Sequence, residues 1–212
     1  MERAELQVSL RLAAASLVLI GVWFGVLVPF HPNILKGHFA DAVLDDGLWR
    51  LTHAAMFLVG IAGVFASAGM VALHGRRFGR VGSVVLMATI VTGFSTAAAG
   101  ALEATALPLL AKEAPQLIDF DGPLFTAPLF RALTGPWLFY PLCLGALGLL
   151  AYRDATHRTA GGALSLSSVA FFALGMWFVP VVGPISCVAF GGTLAWWAAI
   201  LWRATAEAGR AR

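Results

Sequence analysis

The sequence predicts an all-α, polytopic transmembrane helix bundle of about six helices with both termini in the cytoplasm. Three observations predict it. Of the 212 residues, 59% are hydrophobic and only 12% charged, against roughly 25% charged in a soluble domain, and the mean hydropathy is +0.84. The apolar residues form blocks, each near the roughly 20 residues a helix needs to cross about 30 Å of hydrocarbon. Lys and Arg fall unevenly on the two sides of those blocks. The pattern argues against strands, because the blocks do not alternate apolar and polar over about 10 residues as barrel strands do.

The first block runs from Val8 to Phe30. It is too long for a signal-peptide core, and no small-residue cleavage site is found before Pro29, His31 and Pro32, so it is expected to persist as a helix. No lipidation signal is visible at either end. The second block is Leu51–Leu73 and the third Val81–Leu110, long enough to need tilt or an interfacial end. The fourth is Leu133–Tyr152, with a kink expected at Pro141, and the fifth and sixth are Ala163–Pro180 and Gly183–Trp202, joined by a sharp reversal at Pro180 and Pro184. Together they make one integral membrane domain over residues 1–212, without the internal repeat of inverted-repeat transporters.

Arg3, Arg11, Arg76, Arg77, Arg80, Arg153, Arg158, Arg203, Arg210 and Arg212 fall on one side, and Lys36, Arg50, Lys112 and Arg131 on the other. Cytoplasmic loops retain the positive charge. The basic balance thus reflects topology and contact with anionic lipid headgroups rather than a nucleic-acid partner, for which there is no basic, aromatic-interleaved patch. Trp49, Trp137 and Trp177 near the outer ends, with Trp196, Trp197 and Trp202 near the inner end, read as interfacial belts. Cys143 and Cys187 differ in depth by about 9 Å and read as two buried thiols without a disulfide.

Short turns, His74–Arg80 and Arg153–Gly162, join helices two to three and four to five on the cytoplasmic side. The outer connections, 31–50 and 111–131, are long. In the second, Leu117, Ile118, Phe120, Leu124, Phe125, Leu129 and Phe130 are interleaved with acidic residues, which predicts an interfacial segment or a lid over an outer-facing cavity. Gly60, Gly63 and Ser67, then Gly93, Ala97 and Gly100, and Gly145 with Gly148 are candidates for close helix approach.

An ionisable side chain inside a span costs at least about 2.5 kcal/mol at its centre and is a functional hypothesis by default. Glu103 and His53 are those residues. Glu103 lies 22 residues after Val81, about 33 Å along a helix, and His53 enters the second span near its outer end, so the two are placed at one depth on neighbouring helices. Thr89, Thr92 and Thr96 share a face with Glu103 and extend a polar line toward mid-membrane, or else bond between helices. Phe57, Trp137, Phe139, Tyr140, Trp177 and Phe178 are candidate pocket walls.

The outer side also holds His31, His38, Asp41, Asp45 and Asp46, ligand types suited to zinc, iron or copper. No pair has the i, i+4 spacing of a recognised metal motif and no CxxC is present, so no metal is assigned and His31, His38 and Asp41 stand only as candidate ligands. A bis-His haem site lacks a second intramembrane His, and no cofactor is identified. GxSxG, Walker and Rossmann patterns are absent.

His31-Pro32 after the first helix, Trp49 and His53 opening the second, and Glu103 with Pro108 closing the third give a pattern that resembles a broad group of small six-helix bacterial membrane proteins. The resemblance implies a fold and an inner-membrane location, and no activity.

Three functions fit. Glu103 and His53 bind a small or lipophilic ligand, or relay protons. Alternatively, Glu103 is the general acid, with His53 beside it, of an enzyme acting on an isoprenoid or other lipid, the aromatic faces stabilising a cation. The third is a structural subunit docking another membrane protein through its small-residue faces. Thr92, Thr96, Phe57, Trp137, Tyr140 and Trp177 are the expected ligand contacts.

Overall fold

The computed structural model describes residues 3–35, 39–44, 46–74 and 78–210. Lys36, His38, Asp45, Arg76, Arg77 and Arg212 lie outside the described residues, as do the side chains of Arg3, Asp46 and Arg210.

The described elements are all helical: α1 (Arg3–Val22), α2 (Phe39–Leu44), α3 (Asp46–His74), α4 (Gly79–Glu113), α5 (Pro123–Thr126), α6 (Pro128–Thr134), α7 (Tyr140–Ala151), α8 (Arg158–Ala170) and α9 (Val182–Arg210). Five stretches are long and apolar enough to cross a membrane, namely Ala4–Phe30, Gly47–His74, Gly79–Glu113, Pro128–Ala151 and Val182–Glu207, as in a multi-pass membrane protein. The expected fifth span is not among them. There α8 carries Ser165, Ser167 and Ser168, passes into a π-helical turn at Phe171–Gly175, and leaves helical geometry before Pro180.

α4 carries a face suited to lipid. Val84, Met87, Val91 and Phe94 form an exposed apolar stripe, while Thr89, Thr92, Ser95 and Thr96 are buried. That inverts the soluble pattern and would be unstable against water. Thr89, Thr92 and Thr96 each donate to a carbonyl of their own helix, those of Val85, Ala88 and Thr92. Among the described residues no polar line toward Glu103 is built, because each hydroxyl donates within its own helix, while Thr92 also makes a side-chain hydrogen bond with Cys143 of α7.

α3 lies along α4, α1 against α3 and α9, and α7 against α8. Small residues set the spacing. A Cβ on Gly60 would collide with the Gly93 carbonyl and Ala97, and one on Gly100 would stand 2.7 Å from the His53 carbonyl oxygen. Gly148 and Gly161 play the same part between α7 and α8. The fourth span breaks earlier than expected: Gly135–Phe139 is a 3-10 segment, and Pro141 sits in the first turn of α7, where proline is tolerated. Cys187 is buried and Cys143 half-buried, and both are free.

Gln7 Nε2 approaches the Thr205 carbonyl oxygen at 3.5 Å, so the start of α1 and the end of α9 lie at one end of the bundle. At the other end a second core caps the helices. Ile118, fully buried, joins Phe39, Val43, Trp49, Leu107 and Ala111, with Leu117, Leu124 and Phe125 packed around them. The acid-interleaved segment thus folds down onto α4 through its apolar side chains.

Candidate functional site

Two departures from α-helical geometry frame the capped end. α1 ends in a π-helical turn, Trp23–Leu27, followed by a 3-10 turn at Val28–Phe30, and the π-helical turn at Phe171–Gly175 faces the same space. Single π turns recur at functional sites because the extra residue re-aims side chains. Here Trp23 is turned so that its Nε1–H donates to the Thr52 carbonyl at 2.8 Å. Phe171 packs against Phe24 with ring centroids 4.8 Å apart.

Between them His53, 4% exposed on α3, meets Glu103 of α4, with Nε2 and Oε2 2.7 Å apart. His31, delivered by the end of the first span, brings its Nε2 to 3.3 Å from the same His53 nitrogen. Each ring has its other proton committed: His31 Nδ1–H donates to the Pro32 carbonyl at 2.7 Å and His53 Nδ1–H to the Trp49 carbonyl at 2.8 Å. A neutral imidazole protonated on Nδ1 offers only a lone pair at Nε2. Two lone pairs and a carboxylate oxygen would then face one another, which a buried site does not tolerate without a donor. One further proton between His53 Nε2 and Glu103 Oε2 satisfies the shorter of the two contacts. It does not reside on His31, which burial, and secondly the neighbouring His53, hold down from 6.5 to about 4.

Trp49 fixes this arrangement. Its ring lies 4.1 Å from that of His53, and its Nε1–H donates to the Glu103 backbone carbonyl at 2.7 Å. Trp49 is 1% exposed, so it is a wall of the site and not a belt residue.

The cluster opens on a cavity of about 390 Å³, within the range of small-molecule sites. Trp137, Trp177 and Phe178 line it from the second half of the chain, Phe120, Phe125 and Phe130 from the capping segment, and Arg131 stands at its wall. Trp137 is held by Ser95, whose hydroxyl accepts the Trp137 N–H at 3.0 Å and contacts the Leu133 and Thr134 carbonyls, each at 2.8 Å. Phe178 lies in the left-handed region at φ 53°, with its ring 5.6 Å from that of His31.

The sequence-derived residues divide accordingly. Glu103, His53 and His31 meet, and Trp137 and Trp177 line the same cavity. Thr92, Thr96, Phe57 and Tyr140 are not among its lining residues. Phe57 is 39% exposed on the outer face of α3, and Tyr140 is buried with its hydroxyl donating to the Val59 carbonyl at 3.1 Å. Asp41 is exposed on α2, away from the cavity lining, and His38 lies outside the described residues. Glu103 pairs with His53, while Arg131 donates its Nε–H to the Phe125 carbonyl. Sequence reasoning missed Trp23, Ser95 and Phe171, none of which belongs to a motif.

Compared with protein-family models, curated proteins and solved structures, the chain matches none.

Proposed function

We propose that the protein binds a lipophilic molecule with an oxygen-bearing polar end, seating the apolar part among Trp137, Trp177 and Phe178 and the oxygen at the proton held by His53 and Glu103. The observation that carries this reading is the convergence of an acid–imidazole pair 2.7 Å apart on a largely aromatic cavity of about 390 Å³. Inside low-dielectric surroundings one such hydrogen bond fixes orientation, and the same proton can pass to or from the bound molecule.

A second reading is favoured by the aromatic faces around that proton: an enzyme in which Glu103 protonates an isoprenoid or related lipid and Trp137, Trp177 and Phe178 stabilise the resulting cation.

In this reading the chain crosses a bacterial inner membrane six times, as one domain with α8 and its π-helical extension as the fifth crossing. The adjacency of Gln7 and Thr205 at one end of the bundle supports an even number of crossings, and the Arg-rich side places both ends in the cytoplasm.

Binding is tested on the purified protein in detergent with a bromine-substituted alkylphenol, read by quenching of the cavity tryptophans. Saturable quenching is expected, weakened roughly 10-fold in Glu103→Gln, the equivalent of one hydrogen bond to a charged partner. Quenching that never saturates, or equal affinity in the variant, overturns the binding reading and leaves a scaffold role. Consumption of an isoprenoid substrate, abolished by Glu103→Gln, would instead select the enzyme.

A further inference from the structure

A second cluster of imidazoles and a carboxylate stands at the opposite end of the bundle, where α3 ends and the α7–α8 connection begins. We propose that His74, Asp154 and His157 hold a divalent first-row transition-metal ion. One ligand atom from each lies within 4.8 Å of the other two.

The geometry within the triad points to an ion rather than to hydrogen bonds alone. His157 Nδ1 is sealed from solvent, makes no hydrogen bond, and stands 3.6 Å from Asp154 Oδ2. That is too long for a hydrogen bond, yet two ligands each about 2.1 Å from a tetrahedral ion stand about 3.4 Å apart. The supporting contacts are those that metal ligands use. His74 Nδ1–H donates to the Met70 carbonyl at 2.8 Å, which leaves its buried Nε2 with the lone pair. Asp154 Oδ1 accepts the Thr156 N–H at 3.1 Å, which orients Oδ2 toward His157.

The surroundings are also fitting. The rings of His74 and His157 lie 5.1 Å apart, and both pack against Trp197, at 5.9 and 5.7 Å. Phe78 stacks on His74 at 4.5 Å. A cavity of about 480 Å³ beside the triad, reached by Arg153, leaves room for water or a small anion as a further ligand. Two imidazoles and one carboxylate with an open position suit zinc or ferrous iron, whereas calcium and magnesium prefer all-oxygen sets. None of this depends on the proposed ligand site around Glu103.

Cobalt(II) is the probe, titrated into tag-free full-length protein in detergent and read by its visible d–d absorption. One equivalent per chain is expected to give tetrahedral or five-coordinate bands. His74→Gln, Asp154→Asn and His157→Gln should each weaken binding by at least the roughly 10- to 100-fold that loss of a mere supporting partner costs. His53→Ala and Glu103→Gln should leave it unchanged. Absence of the bands, undiminished binding in His157→Gln, or loss of binding in His53→Ala overturns the proposal. Should a triad variant fail to fold, X-ray absorption of the cobalt-loaded wild type decides: two imidazoles in the coordination shell support the site, and an all-oxygen shell refutes it.

Discussion

Trp49 lies against His53 with ring centroids 4.1 Å apart and donates its indole N–H to the backbone carbonyl of Glu103, the residue whose carboxylate meets His53 from the other side. One side chain therefore sets both partners of the acid–imidazole pair. Trp49→Phe retains the ring contact and removes the donor. It is expected to cost about 1–2 kcal/mol, seen as a lower melting temperature in detergent, and to weaken ligand binding; an unchanged melting temperature would mean that the indole bond does not support the site.

The spacing between α3 and α4 is set by glycine at the level of the site. A Cβ on Gly100 would stand 2.5 Å from the Phe57 nitrogen and 2.7 Å from the His53 carbonyl oxygen. Gly100→Ala is expected to destabilise by about 1–3 kcal/mol through overpacking and to part Glu103 from His53. Gly192→Ala, in α9, meets nothing within 4 Å and should stabilise by up to about 1 kcal/mol through helix propensity. Thermal denaturation of the two variants, with opposite signs, checks the packing.

How much of this was legible in the sequence depends on which physical variable each feature needs. Depth along a helix needs only the rise per residue, so the count from Val81 to Glu103 and the entry point of His53 set the two at one level. Rotation about the helix axis is not so readable when apolar residues surround the whole helix. Phe57 and Tyr140, both expected as ligand contacts, accordingly face elsewhere, one outward and one into the core. Thr89, Thr92 and Thr96 are all buried, yet their back-bonding to α4 is a local choice that spacing does not reveal. His74 and His157 read as separate turn residues because their meeting depends on how α7 and α8 return beside α3.

His31 gives the pH dependence. Its folded value is depressed from 6.5 to about 4, so between these limits the unfolded chain binds the extra proton. The stabilisation is complete above pH 6.5 and is lost as pH falls through about 4. Melting temperatures should hold steady above the upper limit and fall below it, and His31→Gln should flatten that slope. An equal slope in the variant would assign the acid sensitivity to other groups.

The turn before α9 stores strain. Val181, a β-branched residue 73% exposed, has φ 66°, which costs on the order of 1–3 kcal/mol. Val181→Gly is expected to raise stability by about 1 kcal/mol after the added chain entropy of glycine. Denaturation curves of the variant read this directly, and a loss of stability would show that the turn is held by contacts of the valine side chain.

Nitrogen-15 NMR of histidine-labelled protein in micelles, with the His53 signals assigned by their loss in His53→Asn, tests the shared proton most directly. In the wild type His53 Nε2 should carry or share a hydrogen while Nδ1–H stays bonded to the Trp49 carbonyl, and in Glu103→Gln His53 should become a neutral ring with a bare Nε2. Identical His53 spectra in the two proteins would contradict a proton held between the acid and the imidazole.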